Sequence, residues 1–248
     1  IEKRVRSRSG NPMEQSASQR SPLAPIGDLY AEICAEFSRQ GALGVLYVDC
    51  SALDEVERAY GENAHAGALA AVAEIVAGAC LEVLGRREHL ARGEAGRGEV
   101  LCFIPREPRD VDFHAKGLPA LERAVRERLA RNAQRVAYPY LRKLPVLPIG
   151  CAFVQRNPIV APLSQLRLGM DESRDDARLN AQVARRGRRR EFLDVLIRGQ
   201  LHSVYEPVVD AKSLTVFGYE ALVRGDEGGP FGSPAELLMW ARLGLRHG

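Results

Sequence analysis

The chain has 248 residues, of which 46% are hydrophobic and 27% charged, and its formal net charge is +3. These values are typical of a globular protein with room for one large or two modest domains. The charge is too small to indicate nucleic-acid binding by itself. Five scattered cysteines without a C-x-x-C spacing argue against a zinc site or a disulfide framework. No run approaches 18 uninterrupted apolar residues and no signal-peptide pattern opens the chain, so we expect a cytoplasmic protein without a membrane span.

Residues 1–25 are basic, rich in Ser, Gln and Pro, and poor in large apolar side chains. Such a segment cannot bury enough surface to offset its chain entropy, which predicts a disordered arm or a linker. The chain begins with Ile and ends abruptly, and we therefore expect a piece of a longer polypeptide.

From residue 26 to 183 the pattern alternates between helices and strands, which predicts an α/β or α+β domain with a central sheet flanked by helices. The continuous apolar run 43–49 is typical of a strand buried on both faces. Asp28 is expected to cap the first helix, and Gly41 and Gly44 to end it. The predicted helices cover residues 28–39, 52–60, 65–84, 118–132 and 162–183; the other predicted strands cover residues 88–92, 99–104 and 145–154.

Three strings punctuate this order: Leu46-Tyr-Val-Asp49 at the end of the first strand, Gly96-Arg97-Gly98-Glu99-Val100 in a hairpin, and Ile149-Gly150-Cys-Ala152 in a late strand. With these strings the region resembles a GGDEF domain, the diguanylate cyclase fold. The resemblance implies that Asp49 stands at a metal-binding position and that the hairpin is the signature loop.

The signature loop departs from the family pattern. A cyclase needs carboxylates that hold Mg²⁺ against a triphosphate. Arg97 replaces the second glycine of the motif and Gly98 replaces its aspartate, so that only Glu99 remains. Asp49 and Glu99 could still hold one metal ion, but ordinary strand-end carboxylates are the preferred interpretation. We predict that this domain is not a diguanylate cyclase.

Other positions of the resemblance have also changed. A gapless alignment places Glu57 and Ala66 where the family reads guanine with Asn and Asp, and Ser51 at the second metal-side aspartate. The inhibitory product site, usually R-x-x-D, has Arg86 and His89. The domain could still bind GTP as a regulatory ligand, or act through dimerisation or protein contacts, and the changed residues favour the second role.

Residues 184–191 contain five arginines in Arg185-Arg-Gly-Arg-Arg-Arg190 and are interpreted as a basic linker. Their position predicts an interdomain helix whose arginines face solvent or pair with acids upstream. A nucleic-acid-binding patch is the alternative, but no aromatic platform accompanies the run, so nucleic acid is an unfavoured partner.

Two β-prone runs flank the polar turn Asp210-Ala-Lys-Ser213, which predicts a hairpin. Its second strand ends in Glu220-Ala-Leu-Val-Arg224, and a helix that Ser233 caps and Pro234 begins is expected next. In this register, residues 192–248 resemble the beginning of an EAL domain, a (β/α) barrel family of cyclic di-GMP phosphodiesterases and silent cyclic di-GMP binders.

The EAL resemblance implies a metal-binding role for Glu220 and substrate contacts for Arg224, Leu222 and Glu206. An intact EAL domain would use Mg²⁺ or Mn²⁺, whereas no cofactor is expected for this chain alone. Glu206 replaces the usual Gln, and this anion should weaken cyclic di-GMP binding unless it pairs with a nearby arginine. The remaining metal ligands, the catalytic Lys and the closing strands of a barrel are missing, so this truncated part is expected to be inactive.

Taken together, the sequence predicts a bacterial cyclic di-GMP signalling protein. Its degenerate GGDEF-like domain, residues 26–183, precedes the N-terminal part of an EAL-type phosphodiesterase domain, residues 192–248. The alternative is a non-catalytic cyclic di-GMP or GTP receptor or scaffold that acts through protein contacts, including a homodimer.

Overall fold

A computed structural model describes residues 23–94, 97–226, 231 and 234–245, with the side chains of 243–245 left out. The chain divides into two compact units within one long helix, after Ala181. The first unit contains α1 (Ile26–Gln40), β1 (Ala42–Asp49), a 3-10 turn (Ser51–Leu53), α2 (Asp54–Tyr60), α3 (Glu62–Leu84), β2 (His89–Arg92), β3 (Glu99–Arg106), a π-helical turn (Phe113–Gly117), α4 (Leu118–Arg131), α5 (Ala133–Ala137) and β4 (Ile149–Gln155). The long helix is α6 (Pro162–Ile197), and β5 (Leu201–Val209), β6 (Val216–Gly225) and α7 (Pro234–Leu245) follow it.

The four strands of the first unit form a sheet in the order β2-β3-β1-β4 with antiparallel neighbours throughout. Two strand–helix–strand halves in this order make a ferredoxin-like arrangement. The expected fold class, a central sheet flanked by helices, is therefore confirmed. The central strand β1 pairs with β3 over its whole length, so that Asp49 stands opposite Glu99 at one end of the sheet.

Each face of the sheet has its own hydrophobic core. Alternate residues of a strand point to opposite faces, and Leu46 and Val48 belong to a core with α3 and α4, whereas Val45 and Tyr47 belong to a core with α1 and α6. Seven of the eight residues of β1 are buried. The prediction that this apolar run forms a strand buried on both faces is confirmed.

Helix α3 is the one helix in the described part of the chain that is long and apolar enough to cross a membrane by length and composition. Its residues from Ala68 to Cys80 supply much of the core on one face of the sheet. An apolar helix with its side chains packed inside a protein satisfies the same test as a membrane span, and here the packing accounts for its composition.

A glycine in β4 allows α6 to lie directly against the sheet. A Cβ atom at Gly150 would overlap the backbone of Ser173 and Ala177 in α6. Two polar side chains of the helix then bond to the strand: Asp176 accepts a hydrogen bond from the Cys151 amide at 2.9 Å, and Asn180 donates one to the Ile149 carbonyl at 3.1 Å. The close approach fixes which residues of α6 reach the end of the sheet.

Several predicted boundaries were wrong. Asp28 lies in the first turn of α1, and the N-cap residue is Pro25. Gly41 adopts the left-handed conformation that ends α1, whereas Gly44 lies inside β1. The predicted helix 162–183 and the helix expected around Phe192 are one element, α6, which also contains the basic residues 184–191. The predicted disordered arm, apart from residues 23–25, and the predicted cap Ser233 lie outside the described residues.

The second unit contains the predicted hairpin. Strands β5 and β6 pair in an antiparallel register around the turn at Asp210, whose carboxylate accepts the amides of Lys212 and Ser213 at 2.9 and 2.8 Å. A small apolar cluster of Phe192, Val195, Phe231, Leu237 and Trp240 joins the end of α6 to α7. Most of the hairpin is exposed on both faces.

The Gly150 contact leads to the first prediction. Gly150→Val should destabilise the first unit by roughly 1–3 kcal/mol, because the added side chain pushes α6 away from β4. Thermal unfolding followed by circular dichroism measures the effect. Gly67→Ala in α3 is the matched control, since a Cβ at Gly67 meets no atom within 4 Å; it should be neutral or stabilising. Equal behaviour of the two variants would contradict the close approach.

Candidate functional site

The candidate site lies where β1 ends and β3 begins. Asp49 and Glu99 are directly opposite residues of the two strands. The Asp49 carboxylate accepts the amide hydrogen of Ser51 at 2.9 Å, and the Cys50 amide donates to the Gly98 carbonyl at 2.8 Å. The sheet therefore places the two residues that the resemblance implies as metal ligands opposite each other.

Glu99 is buried and is already paired with a cation of the chain. Its residue is 2% exposed. Arg174, on α6, donates from Nη2 to Oε1 at 2.8 Å and from Nε to Oε2 at 3.1 Å, which engages both oxygens of the carboxylate. This two-point geometry is the strongest form of an ion pair between side chains. Glu99 is consequently neutralised within the fold.

Neighbouring groups hold Arg174 in this position. Its Nη1 donates to Asp171 at 2.8 Å, and its guanidinium lies 5.8 Å from the centre of the Tyr47 ring. Burial lowers the pKa of Arg174, but the hydrogen bond and charge of Glu99, followed by those of Asp171, outweigh burial and leave that pKa raised. Burial, with the charges of Asp49 and Glu99, also raises the pKa of Tyr47. Arg174 thus stays charged and Tyr47 neutral.

The pair leaves little for a metal ion to bind. Divalent cations such as Mg²⁺ require several oxygen ligands with free lone pairs. Both Glu99 oxygens bond to Arg174, and Asp49 stands beside it as the other strand-end carboxylate. Within residues 23–94, 97–226, 231 and 234–245 there is no cluster of three or more His, Cys, Asp or Glu that could hold a metal. The residues present fit an arginine better than a cation from solution.

A polar groove of about 490 Å³ adjoins this carboxylate pair. Glu57 and Ala66, the two positions where the resemblance implies base recognition, both line it, as does Arg97 of the signature loop. The other lining residues are Leu23, Glu62, Asn63, His65, Leu69, Arg92, Gly93 and Glu94. Of the signature loop, Gly96 lies outside the described residues; Arg97, Gly98, Glu99 and Val100 lead into and begin β3.

The charges in this groove oppose a triphosphate. His65 lies 3.4 Å from the Glu57 carboxylate and 3.6 Å from that of Asp54. Three glutamates line the groove, against two arginines. Without a bound cation to offset the acids, they repel a polyanion.

Arg86 and His89, which stand where the resemblance implies an inhibitory site, also make contacts within the fold. Arg86 donates to Glu88 at 2.8 Å and to the Pro105 carbonyl at 3.0 Å. His89 lies 3.0 Å from the Glu36 carboxylate through Nε2. These side chains therefore hold the edge of the sheet together.

In the second unit, the hairpin brings together all four predicted EAL-type residues. Glu206 is directly opposite Glu220, and Val204 is opposite Leu222, so these side chains share one face with Arg224. Arg224 donates to Glu206 at 3.3 Å. Its Nη1 is buried without a hydrogen-bond partner among the described residues.

The pairing of Arg174 with Glu99 was not predicted from the sequence. The arginine lies 75 residues from Glu99 in the chain, inside the string Asp171-Glu-Ser-Arg174-Asp-Asp176, which is typical of a solvated helix surface. The small residues Gly150 and Ala177 were the available signal, since they predict a close approach of a helix to a strand.

Comparisons with known proteins gave structural matches alone: no family model and no curated protein matches the chain. The GGDEF domain of DgcB from Caulobacter crescentus, solved with c-di-GMP, shares 18% identity and a TM-score of 0.40 over 71% of this chain and 94% of that one. The GGDEF domain of FimX from Pseudomonas aeruginosa shares 17% identity and a TM-score of 0.40 over 65% and 94%.

A tandem protein is among the matches as well. The S helix-GGDEF-EAL part of LapD from Vibrio cholerae, bound to c-di-GMP, shares 10% identity and a TM-score of 0.44, over 92% of this chain and 54% of that one. This chain thus spans about half of the LapD fragment. The structural neighbours are GGDEF domains of cyclic di-GMP signalling proteins, at low sequence identity, and the function is inferred below from the residues of the site.

The buried ion pair between Glu99 and Arg174 leads to the second prediction. Glu99→Gln keeps the shape of the side chain but leaves Arg174 without its main counter-charge, which should cost about 3 kcal/mol of unfolding free energy. The double variant Glu99→Leu/Arg174→Met removes both charges and should recover most of that loss. Chemical unfolding measures both.

Glu172→Gln is the control for this comparison, because it removes an exposed carboxylate from the same helix. It should leave the unfolding free energy nearly unchanged. A double variant as unstable as Glu99→Gln, or a neutral Glu99→Gln, would contradict the assignment of a buried charge pair.

Proposed function

We propose that this chain is part of a cyclic di-GMP signalling protein, in which a GGDEF-like domain without cyclase activity precedes the first part of an EAL-like domain. The observation that carries the proposal is the pair between Glu99 and Arg174. The resemblance of the strings to GGDEF domains implies that Glu99 is the signature carboxylate, and in the structure both oxygens of that carboxylate bond to Arg174.

The groove supports a regulatory role for the first unit. A cyclase would have to bind GTP with its triphosphate near Asp49 and Glu99, where metal ions offset the phosphate charge. Here the adjoining groove has three glutamates, and Glu57 and Ala66 stand where the resemblance implies that Asn and Asp read guanine. These features favour a module that acts through protein contacts over one that binds GTP.

The hairpin supports the EAL-like part of the proposal. Glu220 would hold a Mg²⁺ or Mn²⁺ ion in an intact EAL domain, and the ion would activate a water for attack on a phosphodiester. Arg224 would bind a phosphate, because a planar guanidinium suits the bidentate geometry of phosphate oxygens. Leu222 would form the apolar wall between these two residues.

Glu206 has a distinct effect in this proposal. Its carboxylate faces Glu220 across the strands and bonds to Arg224. It therefore competes with a substrate phosphate for the same guanidinium. Phosphodiester binding to the hairpin requires that this exposed pair open, which weakens affinity by the energy of a surface ion pair, about 0.2–1 kcal/mol.

The proposed function predicts that the chain has neither cyclase nor phosphodiesterase activity. The purified chain, incubated with GTP and Mg²⁺ or Mn²⁺, should form no cyclic di-GMP above a blank without protein, and it should not hydrolyse cyclic di-GMP. Chromatography of the nucleotides measures both reactions. Cyclase product that is formed by the chain and lost in Glu99→Gln would overturn the proposal, because Glu99 would then be a working metal ligand.

A binding prediction tests the hairpin. Glu206→Gln should tighten cyclic di-GMP binding by about two- to fivefold, since it frees Arg224 and removes one repelling charge. Calorimetry measures the affinity. Glu172→Gln removes one negative charge from the first unit and is the matched control; it should have no effect. Weaker binding by Glu206→Gln would show that Glu206 is itself a ligand contact.

A further inference from the structure

The first unit has a second open groove, of about 680 Å³. Three tyrosines (Tyr60, Tyr138 and Tyr140) and two basic residues (Arg142 and Lys143) line it, together with residues of α5 and the segment that follows. Its volume is within the range of small-molecule sites in proteins. None of its lining residues belongs to the carboxylate pair, the first groove or the hairpin.

Two of the tyrosines offer exposed ring surface. Tyr60 is 57% exposed and Tyr138 is 58% exposed. The Tyr140 ring packs against that of Tyr60 with a centroid distance of 5.1 Å. The backbone carbonyl of Ala137 accepts the amides of Tyr140 and Leu141 at 2.8 and 2.7 Å, so the turn that follows Tyr138 is hydrogen-bonded. Such exposed rings can stack on a planar ligand such as a nucleobase.

The charges of this groove have one sign. Arg142 and Lys143 are exposed, and in the described part of the chain neither makes a side-chain hydrogen bond or an ion pair. The groove has no Asp or Glu among its lining residues, in contrast to the three glutamates of the first groove. Two adjacent cations without a counter-ion favour an anion such as a phosphate.

We propose that this groove binds a mononucleotide, with the base stacked on Tyr60 and Tyr138 and the phosphate held by Arg142 and Lys143. A ligand with a planar ring and a compact negative charge uses both properties of the groove at once. The site is separate from the GGDEF-like and EAL-like residues, and it stands or falls independently of the function proposed for them.

Titration of the ¹⁵N-labelled full chain with GMP tests the proposal. GMP should shift the amide signals of residues 133–144 and bind with a Kd below about 1 mM. Guanosine lacks the phosphate and ribose 5-phosphate lacks the base, so each should bind at least about tenfold more weakly. Tyr138→Ala and the pair Arg142→Gln/Lys143→Gln should each weaken GMP binding to a similar extent.

Two control variants separate this groove from other sites. Arg97→Gln alters the first groove, and Arg185→Gln/Arg186→Gln removes two exposed charges from α6; both should bind GMP as the unaltered chain does. Thermal unfolding establishes that every variant is folded.

The proposal is overturned by any of three results: no GMP shift in this segment, GMP affinity equal to that of guanosine and ribose 5-phosphate, or affinity that the tyrosine and cation variants leave unchanged. Tighter binding of a single-stranded oligonucleotide than of GMP would assign the groove to a nucleic-acid strand instead.

Discussion

The two-point ion pair between Glu99 and Arg174 is the interaction on which the interpretation of the first unit depends. A buried carboxylate is unfavourable unless another group neutralises it. Here an arginine of α6 provides the neutralising charge. The fold retains the carboxylate because the arginine makes it compatible with burial. The same contact leaves Glu99 unsuited to metal chemistry.

Arginines occupy two other positions where the sequence resemblance implies ligand contacts. The side chain of Glu88, just before β2, is almost fully buried and bonds to Arg86 and Arg106. In the hairpin, Glu206 bonds to Arg224. The buried contacts of Glu99 and Glu88 stabilise the fold. The exposed contact of Glu206 is weak and can be displaced by a phosphate. The chain therefore has permanent internal pairing in the first unit and reversible pairing in the second.

Much of the fold was predictable from local patterns. The apolar run of β1, the glycine that ends α1 and the turn at Asp210 each produce their structure through short-range physics. The candidate carboxylates were also identifiable, because Asp49 and Glu99 stand at strand ends. The basic residues 184–191 are helical, as their position predicted, but the helices predicted on either side of them form a single element with them, and this continuity was not predicted.

Arg174, the partner of Glu99, could not be predicted from local sequence. Arg174 reaches Glu99 only because Gly150 lets α6 approach β4, and this contact joins residues far apart in the chain. A helix-surface arginine among acids predicts local ion pairs, and one with Asp171 is present. The tyrosine groove is similar in this respect, because Tyr60 and Tyr138 come from distant segments that the fold brings together.

We infer that Arg174, and not a metal ion, neutralises Glu99. The most direct test is a titration of the ¹⁵N-labelled chain with Mn²⁺, which broadens amide signals near a bound ion. With Arg174 paired to Glu99, we predict no selective broadening at Val48, Asp49, Glu99 and Val100 at concentrations up to about 1 mM, a level at which a weak divalent-cation site would be occupied. Saturable broadening at these four residues that disappears in Glu99→Gln would contradict it.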